Sequence, residues 1–199
     1  MAVAYGHAMV TNHRKAHPME SIGFLEFSSI ARGIEAADAV SKAAQVRIIF
    51  ARAGCPGKYY LLFGGEVAAV QASLDAGAAL GGGFVVDSCV IPRPHPQVIR
   101  AMANTAQPPE CGSLGVMEFY SVTAAIYAAD AAVKAAEVAL VELRLATGIG
   151  GKSFVALTGE VAAVAESVAC GVATQESQGM ALAHVVIANP RPEVFESLG

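Results

Sequence analysis

The chain repeats itself, which confines it to architectures built from two copies of one unit. Ser21-Ile22-Gly23-Phe24-Leu25-Glu26-Phe27 reads against Ser113-Leu114-Gly115-Val116-Met117-Glu118-Phe119 at an offset of 92. Over residues 21–46 that offset gives 14 identities in 26 positions. It becomes 94 where Gly57-Lys58 meets Gly151-Lys152, and it carries Gly65-Glu66-Val67-Ala68-Ala69-Val70 onto Gly159 through Val164. It is 96 where Val90-Ile91 meets Val186-Ile187. Both length changes fall in Gly-rich segments, where loops accept insertions. The expected organisation is a flexible extension over 1–19, a first domain over 20–106, a linker over 107–112 containing Pro108-Pro109, and a second domain over 113–199.

Each half carries the same succession of periods. Residues 21–28 are apolar with partial alternation and predict a strand. Ile34, Ala37, Val40 and Ala44 recur at helical spacing and predict a helix over 31–44. Val46–Ala51 is rich in β-branched residues and predicts a second strand. Lys58–Phe63 predicts a third, ended by Gly64-Gly65. Glu66 opens a second helix to about Leu80, its carboxylate favourably close to the positive helix N-terminus. Phe84–Ile91 is a fourth strand stopped by Pro92. The fold class is therefore α+β, two tandem ferredoxin-like βαββαβ units, the second running from Ser113 to Ala188.

Composition then removes whole classes of function. Apolar residues make up 54% and charged residues 15%, which excludes a disordered chain. Alanine accounts for 40 positions, and small side chains favour wide, flat contacts between copies of the chain. No stretch of eighteen residues is both apolar and uncharged, so no membrane span is expected. The net charge is −4, there is no basic run and tryptophan is absent, which argues against nucleic acid as a partner. Cysteines at 55, 89, 111 and 170 form no CxxC and no disulfide framework, consistent with a reduced, cytosolic setting. No Ser-His-Asp set and no phosphate loop is present, and no enzyme activity is expected. His7, His13 and His17 follow no metal-ligand spacing. Glu26 and Glu118, matched by duplication, read as structural carboxylates. A small enzyme or sensor using Cys55 as nucleophile needs an activating histidine, and none lies in that loop.

The segments Gly-x-x-Glu, Ala-Ala-Asp-Ala-x-x-Lys-Ala-Ala, Gly-Glu-Val-Ala-Ala-Val and Val-Ile-Pro-Arg-Pro-His resemble the bacterial microcompartment shell domain. Both halves carry the resemblance, in unpermuted strand order. Gly54-Cys55-Pro56-Gly57-Lys58 and Gly148-Ile149-Gly150-Gly151-Lys152 further resemble the tandem, trimeric shell proteins of propanediol-utilisation microcompartments that carry an iron–sulfur centre. The resemblance implies a homotrimer whose six domains form a pseudohexameric tile, packed edge to edge with other shell proteins around enzymes in the bacterial cytoplasm.

It also implies roles for particular residues. The loops between strands two and three line the central axis, so Gly54, Pro56, Gly57, Thr147, Gly148, Ile149, Gly150 and Gly151 are expected to line a pore. Three Cys55 thiols meeting there suit a 4Fe–4S cluster, for electron transfer or cluster exchange across the shell, with a luminal redox enzyme as a further partner. The alternative is an open metabolite pore with Cys55 as a small lining residue. Lys42, Lys134 and Arg93 are expected at tile edges, with Asn189 at the place matching Arg93. Cys89 and Cys170 are expected to be buried small hydrophobes, and Cys111 is given no role.

Overall fold

The computed structural model describes residues 20–102, 112–176, 178–196 and 198. The first half runs β1 (Ser21–Phe27), α1 (Ile30–Ala43), β2 (Arg47–Gly54), β3 (Lys58–Gly65), α2 (Val67–Gly81), β4 (Val85–Pro92) and α3 (Pro96–Met102). The second runs β5 (Ser113–Phe119), α4 (Val122–Ala135), β6 (Val138–Leu145), β7 (Ser153–Gly159), α5 (Val161–Glu176), β8 (Ala181–Ile187) and α6 (Pro192–Glu196). The two sheets have the orders β2-β3-β1-β4 and β6-β7-β5-β8, antiparallel throughout. This is the expected βαββαβ arrangement, twice. The register repeats the sequence offset, since Ser21 pairs with Gly65 and Ser113 with Gly159.

Helices α3 and α6 were not foreseen. At seven and five residues they are too short to display a 3.6-residue period. The extension over 1–19, with its three histidines, and most of the 107–112 linker, with Cys111, lie outside the described residues.

Strand β1 is buried along its whole length because both faces of its sheet are covered. Leu25, Phe27, Leu61 and Phe63 pack under α1 and α2 with Ala36, Val40, Val70 and Leu74. Ile22, Phe24, Tyr60 and Leu62 belong instead to a continuous apolar cluster that includes Val98 and Met102 of α3 and the core of the second half. Burying a side chain of this size contributes roughly 1.5–3 kcal/mol, so this shared cluster binds the halves strongly.

Equivalent faces of the two halves are unequally covered. Val122, Ile126 and Leu140 are buried where α4 and β6 meet the first half, whereas their counterparts Ile30, Ile34 and Ile48 on α1 and β2 are exposed. On the opposite face, Val98 of α3 is fully buried and its counterpart Val194 of α6 is 37% exposed. Each half thus has two mating faces. One of each is used inside the chain, and one of each stays open.

Polar contacts fix the junction that is made. Glu26 is fully buried, bonded through Oε1 to Lys58 Nζ at 2.5 Å, and through Oε2 accepts the Val122 N–H of α4 at 3.1 Å. Ser121 caps α4 by accepting from the Ala124 N–H, and its hydroxyl donates to Asp87 Oδ2 at 3.0 Å. Asp130 accepts the His95 N–H at 2.7 Å and pairs with Lys134. The Gln97 side chain grips β6, donating to the Val138 carbonyl and accepting from the Leu140 N–H. Buried carboxylates are tolerable only when satisfied this fully.

Candidate functional site

The β2–β3 hairpin closes from Gly54 to Lys58 over Cys55, Pro56 and Gly57. The Gly57 N–H donates to the Gly54 carbonyl at 2.9 Å, and Gly57 sits at φ +89°, which a side chain would resist. Cys55-Pro56 is a cis peptide. From below, the Tyr60 hydroxyl donates to the Cys55 carbonyl at 2.9 Å. Burial pushes the Tyr60 phenol well above its ordinary pKa, and the Glu26 carboxylate adds to this, so Tyr60 remains a donor. These bonds hold the loop backbone and leave Cys55, Pro56 and Gly57 exposed at the tip.

Counted between the equivalent pairs Ala53–Tyr59 and Leu145–Ser153, the corresponding β6–β7 loop is two residues longer, and it is differently built. Its strands last pair at Leu145 and Ser153. Ala146, Gly148, Gly150 and Gly151 all have positive φ, from 61° to 85°. The Thr147 N–H donates to the Leu145 carbonyl, and the Lys152 N–H to the Ile149 carbonyl. Thr147, Gly148 and Gly150 are exposed, Ile149 is half-buried and Gly151 is buried.

The two loops touch. A Cβ on Gly151 would lie 2.6 Å from Pro56 Cδ, so only glycine allows this approach. Gly151 therefore sits beneath the first loop, while Thr147, Gly148 and Gly150 remain open. Two guanidinium groups flank the region at equivalent strand positions that sequence reasoning passed over. Arg52 lies 4.6 Å from the Phe50 ring centroid, and Arg144 bonds Glu142 Oε1 at 2.5 Å beside Phe154. Both line a cleft of about 620 Å³ together with Thr147 and Met102. The signal was their alignment by duplication.

The other cysteines are placed differently. Cys89 is half-buried on β4, and burial, with Asp87 and Asp130 adding, pushes its thiol upward, so it is protonated and a poor metal ligand. Cys170 is exposed, contrary to the expectation that it is buried. The buried stripe of α5 runs through Val164, Val168, Gly171 and Val172, and Cys170 falls on the opposite side of the helix. Among the described residues no group of three His, Cys, Asp or Glu side chains comes together in one chain. A metal centre at Cys55 would therefore draw ligands from several copies. An exposed thiol on a braced loop fits that use.

Of the expected edge residues, Lys42 is strongly exposed at the end of α1 and pairs with Asp38 at 2.5 Å. Lys134 is less exposed, since its partner Asp130 is also held by the first half. Arg93 is exposed at φ +47°, its N–H donating to the Glu20 carbonyl at 2.6 Å. No helix among the described residues is long and apolar enough to cross a membrane.

Comparison with known proteins agrees with this layout. The BMC domain family matches twice, at residues 21–94 and 113–190. The chain is 37% identical over 179 residues to bacterial microcompartment shell protein PduT of Citrobacter freundii, covering 90% of this chain and 97% of that one. It is 40% identical over 79 residues to the shell protein EutM of Salmonella typhimurium, covering 39% of this chain and 82% of that one. The crystal structure of a microcompartment protein from Desulfitobacterium hafniense DCB superposes with a TM-score of 0.81 at 48% identity, covering 89% of this chain and 99% of that one. With two complete βαββαβ units, both matched, the chain belongs to the BMC-domain family of structural shell proteins of bacterial microcompartments.

Proposed function

We propose that three copies of this chain form a ring in which first and second halves alternate, and that the ring carries a 4Fe–4S cluster on its axis, held by one Cys55 from each copy. The observation that carries the cluster is the exposed Cys55 at the tip of the shorter loop, braced by Tyr60 and pressed against the second loop at Gly151. The open faces on α1 and on β8 with α6 support the ring, since repeated use of one head-to-tail contact closes into a cycle. Relatives named as shell proteins support its use as a tile.

In this reading Cys55 supplies the ligands, while Gly54, Pro56, Gly57 and the Thr147–Gly151 loop shape the opening. When bound, the cluster would supply a one-electron redox centre between the two sides of the shell, serving a luminal redox enzyme. Three thiolates leave one iron without a protein thiolate. Lys42, Lys134 and Arg93 meet neighbouring shell proteins at the tile perimeter, the lysine stems lying on flat contacts.

Anaerobic purification with iron and sulfide analysis tests the cluster. The wild type and Cys89→Ser, Cys111→Ser and Cys170→Ser variants are expected to hold it, and Cys55→Ser to lose it with the oligomer intact. Iron and sulfide retained in Cys55→Ser would refute the assignment. A reconstituted wild type without either leaves an open pore for small metabolites. For the perimeter, Lys42→Asp is expected to prevent extended sheets, seen by electron microscopy, without disturbing the ring. Normal sheets would remove Lys42 from the edge.

A further inference from the structure

The junction within the chain contains a device that the duplication repeats at a place where nothing yet answers it. Glu26 places Oε1 on Lys58 and Oε2 on the Val122 N–H, the first residue of α4. Its counterpart Glu118 places Oε1 on Lys152, and its Oε2 has no donor among the described residues. Glu118 is about one-third exposed where Glu26 is fully buried.

The missing donor is also in the sequence. Ile30 occupies in α1 the position of Val122 in α4. Ser29 and Ser121 cap these helices in the same extended conformation, at φ −128° and −129°, each accepting the N–H three residues on. The Ile30 N–H has no acceptor among the described residues. Around it lie the exposed Ile30, Ile34 and Ile48, and around the open face of the second half lie Val185 and Val194.

We infer that Glu118 is an intermolecular helix cap, accepting the Ile30 N–H of a second copy of this chain while Lys152 holds its other oxygen. The inference rests on the head-to-tail reading and adds the atoms that secure it. The occupant is a second copy because this chain carries both mating faces, and in the folded chain both stay open. A carboxylate at a helix N-terminus gains from the free N–H and from the helix dipole together.

Other polar contacts of the inner junction are not all repeated. Asp87, which receives the Ser121 hydroxyl, corresponds by strand register to Ala183. Gln97, which both donates to and accepts from β6, corresponds to Glu193, which only accepts when ionised. The cap is therefore a principal polar anchor between chains.

A double-mutant cycle on the full chain tests this. Glu118→Ala removes the acceptor. Ile30→Pro removes the donor at the helix position where proline is best tolerated, after a residue already in the extended region that proline requires. Ile30→Val, which copies the residue at position 122, controls for the side chain. The measurement is the half-dissociation concentration by sedimentation, in enough urea to bring the wild type into range. If losing the cap weakens each junction about tenfold, three junctions raise that concentration about thirtyfold for each single variant. The double variant should be no worse than about thirtyfold, and Ile30→Val should stay near wild type. A wild-type trimer with additive effects, or with Glu118→Ala unchanged, overturns the cap alone. A monomeric wild type without urea overturns the head-to-tail reading as well. Glu118→Met, which keeps the length of the side chain but offers no oxygen acceptor, substitutes if the alanine variant fails to fold.

Discussion

Helices α1 and α4 derive from one sequence and have opposite surroundings. Both begin at a serine cap, carry Ala-Ala-Asp-Ala and end near a lysine. In α4 ten of fourteen residues are buried, and in α1 only Gly33, Ala36 and Val40. The inner stripe of each helix faces its own sheet. The second apolar stripe of α4 faces the first half of the same chain, and in the head-to-tail reading that of α1 faces the next chain. An exposed Ile34 at 56% is thus no defect of the first half, because its counterpart Ile126 is fully buried. Duplication lets one copy disclose what the other is built to meet.

The strongest way to break this comparison is a buried charge placed at each position in turn. Ile126→Asp puts an unpaired carboxylate into the core and is expected to lower the unfolding free energy by at least about 4 kcal/mol. Ile34→Asp in the dissociated chain should change it by less than about 0.5 kcal/mol, yet stop association. Urea unfolding of dilute protein and sedimentation at high concentration separate the two. Equal destabilisation by both would show that α1 is covered within its own chain.

A smaller effect sharpens the comparison instead. Ala183→Asp restores to β8 the acceptor that Asp87 provides in β4, opposite Ser29 of the next chain in the head-to-tail reading. One added hydrogen bond of about 1 kcal/mol per junction should lower the half-dissociation concentration about tenfold. The free chain should lose about 0.5 kcal/mol, since aspartate is disfavoured in a strand. No gain in association would mean that Ser29 does not face that position.

The succession of strands and helices was readable because it rests on local periods, and duplication supplied each period twice. Strand ends differ from expectation by three residues or fewer, as at β2, which continues to Gly54. Glu66 does stand at the cap of α2, though its side chain makes no capping bond, whereas Glu160 of the second half accepts from Ala162. What was not readable is what joins elements remote in sequence. The Glu26 carboxylate reads as structural, but its acceptance of an N–H 96 residues away depends on how the halves seat. The contact of Gly151 with Pro56 likewise arises only once both hairpins are in place. Cys170 was misjudged because alanine and glycine blur the apolar stripe of α5, which then has no clear polar side.

The covalent linkage of the two halves in one polypeptide also bears on the rate of assembly. The Glu26 junction forms as the chain folds, independently of protein concentration, whereas contact between chains must await diffusional encounter. A ring made from tandem chains therefore needs fewer bimolecular steps than one made from separate single domains. Its order of events is fixed as well. The inner junctions exist before the first collision, so every colliding unit already presents a correctly paired half, and scrambled arrangements of first and second halves are avoided kinetically.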